Sequence, residues 1–291
     1  MDTAAMIDAT RTHLRERYVF PDVAEQIGDL LATRLAQGHY ADAADERVLA
    51  ARVTADLQAV NGDKHLRLIH HEQPLPEAEE TFGYAEVAQL ASRHAGGIGR
   101  VERLDGDVGY LELRPMLLPA AVSGDYIAAA MTLVAEARAL ILDLRGCVGG
   151  DPTGVTLLLS YLFDHEPTQL GSVYERELDR TVQSWTLPWV PGRRFGRDKP
   201  VYALVGPHTF SGGEAVAYDL QAVGRATVVG ERTRGGAHPR VGVRLGPHLE
   251  LTVPVARAIH PLTGTNWEGV GIIPDVEVAS DDALATALAA V

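Results

Sequence analysis

Cysteine, lysine, positive charge and long apolar runs are all scarce in this sequence. A single cysteine, Cys147, rules out an intrachain disulfide and a thiolate metal cluster. Only two lysines, Lys64 and Lys199, stand against 24 arginines, so chemistry that needs an uncharged amine has few places to occur. The net charge of −13 argues against nucleic acid as a partner, because phosphate binding needs a basic face. No apolar run approaches the roughly 18 residues of a membrane-spanning helix. No basic stretch followed by an apolar one marks residues 1–12 as a secretory leader. The expectation is a cytoplasmic protein with no membrane span. What is present is an ordinary globular mixture, 46% hydrophobic and 22% charged over 291 residues, enough for one large domain or two modest ones.

Three amphipathic stretches, Ala4–Arg17, Val23–Gln37 and Glu46–Val60, carry apolar residues at helical spacing and predict a small N-terminal helical domain. Asn61-Gly62-Asp63 is a turn, and His65–Ile69 reads as a short strand. The run of Pro, Glu and Gln from Glu72 to Glu80 is a plausible linker, which divides the chain into 1–75 and 76–291. Strands are expected at Gly99–Leu104, Val108–Leu113, Ala139–Leu144, Val201–Val205 and Ala226–Val229. Helices are expected at Asp125–Arg138, from Pro152 through Phe163, and at Ser211–Ala222. Strands alternating with helices of this length imply an α/β fold with a parallel sheet segment. Residues 165–200 read as irregular, a candidate lid or substrate loop.

Ser211 falls where a strand, a tight turn and a helix meet. Unpaired amides at a helix N-terminus can stabilise an oxyanion beside an attacking serine. Gly212 and Gly213 follow it and allow close approach to the backbone. The plainer reading is a capping box, Ser211 with Glu214. A second glycine turn, Arg145 to Gly150, also joins a strand end to a helix. It is either another amide cluster on the same side of the sheet or a simple connection.

These segments resemble the tail-specific, or C-terminal processing, serine peptidases. Leu142-Asp143-Leu144-Arg145-Gly146-Cys147-Val148-Gly149-Gly150 is similar to one family turn, and Ser211-Gly212-Gly213-Glu214 to the nucleophile turn. Gly224–Glu231 resembles the strand that follows, and Gly269–Asp275 the family's closing motif. The family's lysine base falls where this chain has Gly236, and Arg232 and Arg234 cannot replace it because a guanidinium keeps its proton. Tyr18-Val19-Phe20-Pro21, Gly62–Arg67 and Asn266–Gly269 are similar instead to the branch of the tricorn core and interphotoreceptor retinoid-binding protein. That resemblance implies His65 as general base, Glu268 as part of the catalytic set, and a crotonase-like αβ core. Glu268 otherwise reads as a solvated turn residue, and His65 as a satisfied strand histidine. About 25 residues separate Thr81 from Gly106, well short of the roughly 80 of a PDZ domain, so the PDZ insertion of many relatives is not expected.

The leading expectation is a serine hydrolase acting on a peptide or small acyl substrate through an acyl-enzyme on Ser211. Gly212 and Gly149 or Gly150 would supply the oxyanion amides. No cofactor or metal is expected, and His70-His71-Glu72 lacks a ligand-spaced partner. His208, His238, His248 and His260 read as loop histidines, of which only His208 lies near Ser211 in sequence. Two rivals stay open: a non-catalytic lipid- or retinoid-binding module on the same fold, and an acyl-transfer enzyme that tailors a small peptide. Oligomeric state is not legible.

Overall fold

The computed structural model describes residues 2–76 and 83–291. The chain opens with α1 (Thr3–Arg17), α2 (Pro21–Ala36) and α3 (Glu46–Leu57), followed by β1 (Arg67–His70) and α4 (Tyr84–Arg93). It continues through β2 (Ile98–Leu104), β3 (Val108–Leu113), α5 (Ala120–Val134), β4 (Ala139–Asp143) and α6 (Pro152–Ser160). Next come β5 (Gln169–Glu175), β6 (Arg180–Trp185), β7 (Val201–Val205), α7 (Gly212–Ala222) and β8 (Thr227–Gly230). It closes with β9 (Arg240–Arg244), β10 (Leu249–Pro254), β11 (Ala256–Ile259), β12 (Val276–Glu277) and α8 (Ala283–Ala290). The α/β class with a helical N-terminal part is as expected. Part of the expected linker, from residue 77 to Glu80, lies outside the described residues.

Two compact units divide these elements, the first made of residues 1–81, 173–182 and 238–258, and the second of the remainder. The units follow contacts rather than consecutive sequence, so they partition the chain differently from 1–75 and 76–291. In the first unit Asp2 and Asp45 cap α1 and α3 through Ala4 N–H (3.2 Å) and Val48 N–H (2.8 Å), and Pro21 opens α2. The apolar faces of these helices, with Ile7, Leu31 and Val53, pack on Leu68, Leu251 and Val253 of an antiparallel sheet ordered β1-β10-β9. His65 lies in a turn just ahead of β1 rather than within a strand. The side-chain alternation of a strand therefore does not separate Lys64 from His65.

The second unit carries a six-stranded sheet ordered β12-β8-β7-β4-β3-β2, parallel except for the β2–β3 pair. All five residues of β4 are buried, as expected of an apolar strand covered on both faces. Helix α5 begins five residues earlier than expected, at Ala120 after Pro119, and runs through Gly124, whose missing side chain faces Leu157 of α6. Residues 165–200 differ most from expectation, since they hold β5 and β6; β11, β5 and β6 form a third sheet in that order. The stretch after β6 is fastened down. Arg194 donates to the carbonyls of Ser160, Phe163 (3.3 Å) and Leu187 (2.7 Å), and Arg225 to those of Leu162 (2.6 Å) and Gly196 (2.7 Å). A lid made of this segment would have to break those bonds.

Helix α7 buries an acid in its middle. Asp219 Oδ1 lies 3.9 Å from Nε2 of His260, itself buried, and Leu262 N–H donates to His260 Nδ1 (3.2 Å), which leaves the ring proton on Nε2. Burial pushes the Asp219 carboxyl up from 3.8 to about 7, opposed by the Gly171 N–H, and holds His260 below its ordinary value. With the folded value raised, the stability this acid contributes is complete below about pH 4 and lost as pH climbs through 7. Asp219→Asn should therefore be more stable than the parent at pH 8, by up to ~4 kcal/mol, and converge with it below about pH 4. Equal denaturation midpoints at pH 8 would contradict this assignment.

Candidate active site

The candidate nucleophile is built where β4 and β7 end. Both strands give way to turns at their carboxyl ends, where open α/β sheets place their sites. Thr209 joins the two turns: its Oγ1 donates to Leu144 O (2.9 Å) and accepts from Gly206 N–H (3.0 Å). Phe210 N–H donates to Cys147 O (3.1 Å). The contact is so close that only glycine fits, because a Cβ on Gly212 would lie 2.5 Å from Gly150 N and one on Gly213 2.6 Å from Cys147 O.

Ser211, half-buried, takes φ 51° and ψ −119°, a conformation that L-residues rarely adopt. A strained strand-to-helix turn of this kind projects a serine hydroxyl out of the backbone. The hydroxyl lies beside Gly149, at 4.0 Å from where a Cβ on that residue would stand. Among the described residues the N–H groups of Gly149, Gly150 and Gly212 donate to no other group. The structure therefore brings Ser211, Gly212, Gly149 and Gly150 together.

Glu214 holds this arrangement. Its carboxylate is fully buried and accepts from Ser211 N–H (2.8 Å), Gly236 N–H (2.9 Å), Gly235 N–H (2.7 Å) and Thr233 Oγ1 (2.5 Å). Burial raises its pKa while those four bonds pull the other way. The expected capping box is thus half of its role, and the other half, anchoring the loop 233–236, had no signal beyond the Ser-x-x-Glu spacing. That loop also carries Glu268. Ala237 N–H donates to Glu268 Oε2 (2.5 Å), Trp267 Nε1 to Gly236 O (2.9 Å), and Gly269 N–H to Gly235 O (3.0 Å). Glu268, half-buried, is joined through one loop to the residue that holds Ser211, rather than solvated in a loose turn.

His65 belongs to the first unit and is buried. Its backbone is gripped on both sides: N–H donates to Asp63 Oδ1 (3.0 Å), and its carbonyl accepts from Thr252 Oγ1 (2.6 Å). Asp63 is fully buried, and its Oδ2 binds Tyr18 Oη (2.9 Å) and His238 Nδ1 (2.8 Å). Neither Asp63 nor its partner His238 was foreseen as part of this network, and His238 is no loose loop histidine. His208 is exposed and lines a pocket of about 530 Å³ with Arg145, Glu231 and Asp281. His71 pairs with Glu250 (2.8 Å), in keeping with a wet strand end. Cys147 is buried under the glycine turn, and desolvation lifts its thiol to about 11, so it is no nucleophile.

Removing the carboxylate of Glu214 strands four buried donors. Glu214→Ala should cost roughly 3–5 kcal/mol by chemical denaturation, and amide exchange at residues 233–236 should accelerate. A cost under about 1 kcal/mol would show that water replaces the carboxylate freely.

Comparison with known proteins places the chain in a family. Residues 107–278 match the family model of Peptidase family S41, and residues 2–94 match that of the N-terminal domain of Peptidase_S41 in eukaryotic IRBP. The tricorn protease homolog 2 of Streptomyces coelicolor is 29% identical over 144 residues, 48% of this chain and 11% of that one. The carboxy-terminal-processing protease of Bartonella bacilliformis is 33% identical over 81 residues, 28% of this chain and 18% of that one. The matches thus take in less than a fifth of either relative's length. Among solved structures, a protein of Parabacteroides merdae superposes with a TM-score of 0.68 at 19% identity, covering 99% of this chain and 96% of that one. The photosystem II D1 C-terminal processing protease gives 0.53 at 16% identity, covering 97% and 94%. With more than half of its length matched by the family model, the chain belongs to peptidase family S41.

Proposed function

We propose that the protein is a serine peptidase in which Ser211 is the nucleophile, His65 the general base and Glu268 a carboxylate that steadies the base network. One observation carries the reading: a serine in a strained strand-to-helix turn, with the glycine turn of Gly149 lying against its side chain and the Gly149, Gly150 and Gly212 amides uncommitted among the described residues. Ser211 Oγ adds to the substrate carbonyl as its proton passes to the His65 imidazole. The N–H groups of Gly212 and of Gly149 or Gly150 bind the resulting oxyanion. Collapse breaks the C–N bond, and the proton returns from the imidazole to the departing amine. Water then repeats the sequence and frees Ser211. Gly236 at the family's lysine position supports a histidine base. We read the second unit as a crotonase-like core and the cytoplasm as the site of action. A lipid-binding role without catalysis has no use for the strain at Ser211.

A fluorophosphonate probe should label Ser211, and Ser211→Ala should abolish both labelling and peptide hydrolysis with little change in melting temperature. Labelling of another serine, with Ser211 untouched, would refute the assignment. For the base, kcat/KM should rise with pH through one ionisation in the ordinary imidazole range, roughly 6 to 7. His65→Ala should remove that limb and lower the rate at least about a hundredfold. Because Lys64 precedes β1 in the same turn as His65, Lys64→Ala is the necessary control. Should it silence the enzyme while His65→Ala stays active, a displaced serine–lysine pair replaces the histidine.

A further inference from the structure

Arg234 lies on the loop that Glu214 anchors, its guanidinium stacked on the residue before the candidate nucleophile. Its N–H donates to Thr209 O (3.2 Å), and its neighbours Thr233 and Gly235 both bind Glu214. The side chain is exposed, with the guanidinium carbon 4.5 Å from the centre of the Phe210 ring, on the residue just before Ser211. Stacking on the ring restrains the guanidinium, while the exposed side chain keeps its N–H groups open to a ligand. Among the described residues no carboxylate pairs with it, whereas Arg145 pairs with Asp143 and Arg114 with Glu112. Arg234 is a solvent-facing cation on a chain whose net charge is −13.

Such a group suits one kind of ligand. A fixed guanidinium edge binds a carboxylate through two parallel hydrogen bonds, with little side-chain freedom left to lose. Adjacent Cα atoms lie about 3.8 Å apart, and an extended peptide advances about 3.3–3.6 Å per residue. A carboxylate reaching Arg234 would therefore sit within a few residues of a carbonyl at Ser211. We propose that Arg234 is a specificity-determining residue that selects substrates bearing a carboxylate close to the scissile bond. The carboxylate belongs either to an acidic side chain or to the peptide's own C-terminus. This inference rests on the reading of Ser211 as nucleophile.

The test uses competition, so no natural substrate is needed. Randomised hexapeptide pools compete with a fluorophosphonate probe for Ser211, with adduct formation followed by intact-protein mass. One matched pair of pools ends in a free acid or an amide; a second fixes Glu or Gln at each position in turn. Carboxylate pools should protect Ser211 at concentrations about tenfold lower than their neutral partners, as a charge-assisted bidentate pair allows. Which pair shows the difference identifies the source of the carboxylate. Arg234→Gln should bring the ratio to about one, Arg234→Lys should keep part of it, and Arg234→Glu should reverse it. A ratio near one in the parent protein, or one unchanged in Arg234→Gln, overturns the inference while the Ser211 adduct leaves the nucleophile standing. Absence of any adduct on Ser211 overturns both.

Discussion

Glu214 is a carboxylate taken wholly out of water at the start of a helix, and it is tolerated there because four donors converge on it. Three of its bonds run to residues about twenty positions further along the chain, so one side chain sets the distance between the serine turn and the loop 233–236. A charge buried this way is costly to expose and costly to leave unpaired, which makes the arrangement nearly all-or-none. Everything attached to that loop inherits the constraint. Glu268 does so through Ala237, and Arg234 through the neighbours on either side of it.

Strain is the second ingredient. A serine at φ 51° and ψ −119° relaxes unless its surroundings forbid it, and here both flanks are committed. On one side Phe210 N–H is bound to Cys147 O; on the other Gly212 and Gly213 lie against the backbone of the second turn. The same closeness that forbids side chains at 212 and 213 is what brings the turn of Gly149 and Gly150, with its uncommitted amides, against the serine turn. Strain, glycine and amide cluster are one packing solution rather than three separate features.

The parts legible in the sequence are those whose cause is local. Helix starts announce themselves through Asp2, Asp45 and Asp151, which all accept from the first turn, and through Pro21 and Pro152. Strand β4 is a continuous apolar run with no competing period. The two glycine turns are visible because only glycine permits their contact. What escapes notice depends on partners far along the chain. Strand β6 is exposed over most of its length and carries no alternation, so it reads as irregular. Strands β9 and β10 owe their place to β1, which pairs Arg67 with Thr252. The Asp63–His238 pair spans 175 residues, and neither residue type on its own suggests the other. The start of α5 is hidden by Gly124, which ordinarily weakens a helix but here faces Leu157.

The pairing of β1 with β10 also bears on how the chain acquires its structure during synthesis. Helices α1 to α3 leave the ribosome long before the strands they pack on, and the sheet they cover is closed only when Pro254 has been made. Until then the apolar faces of those helices have no sheet to bury them. The first unit is thus completed only once residues 238–258 have been made, and its long-range pairings place it with slowly folding topologies. A nascent chain stalled anywhere before residue 249 would carry an exposed apolar helical hairpin, the kind of surface that holding chaperones recognise.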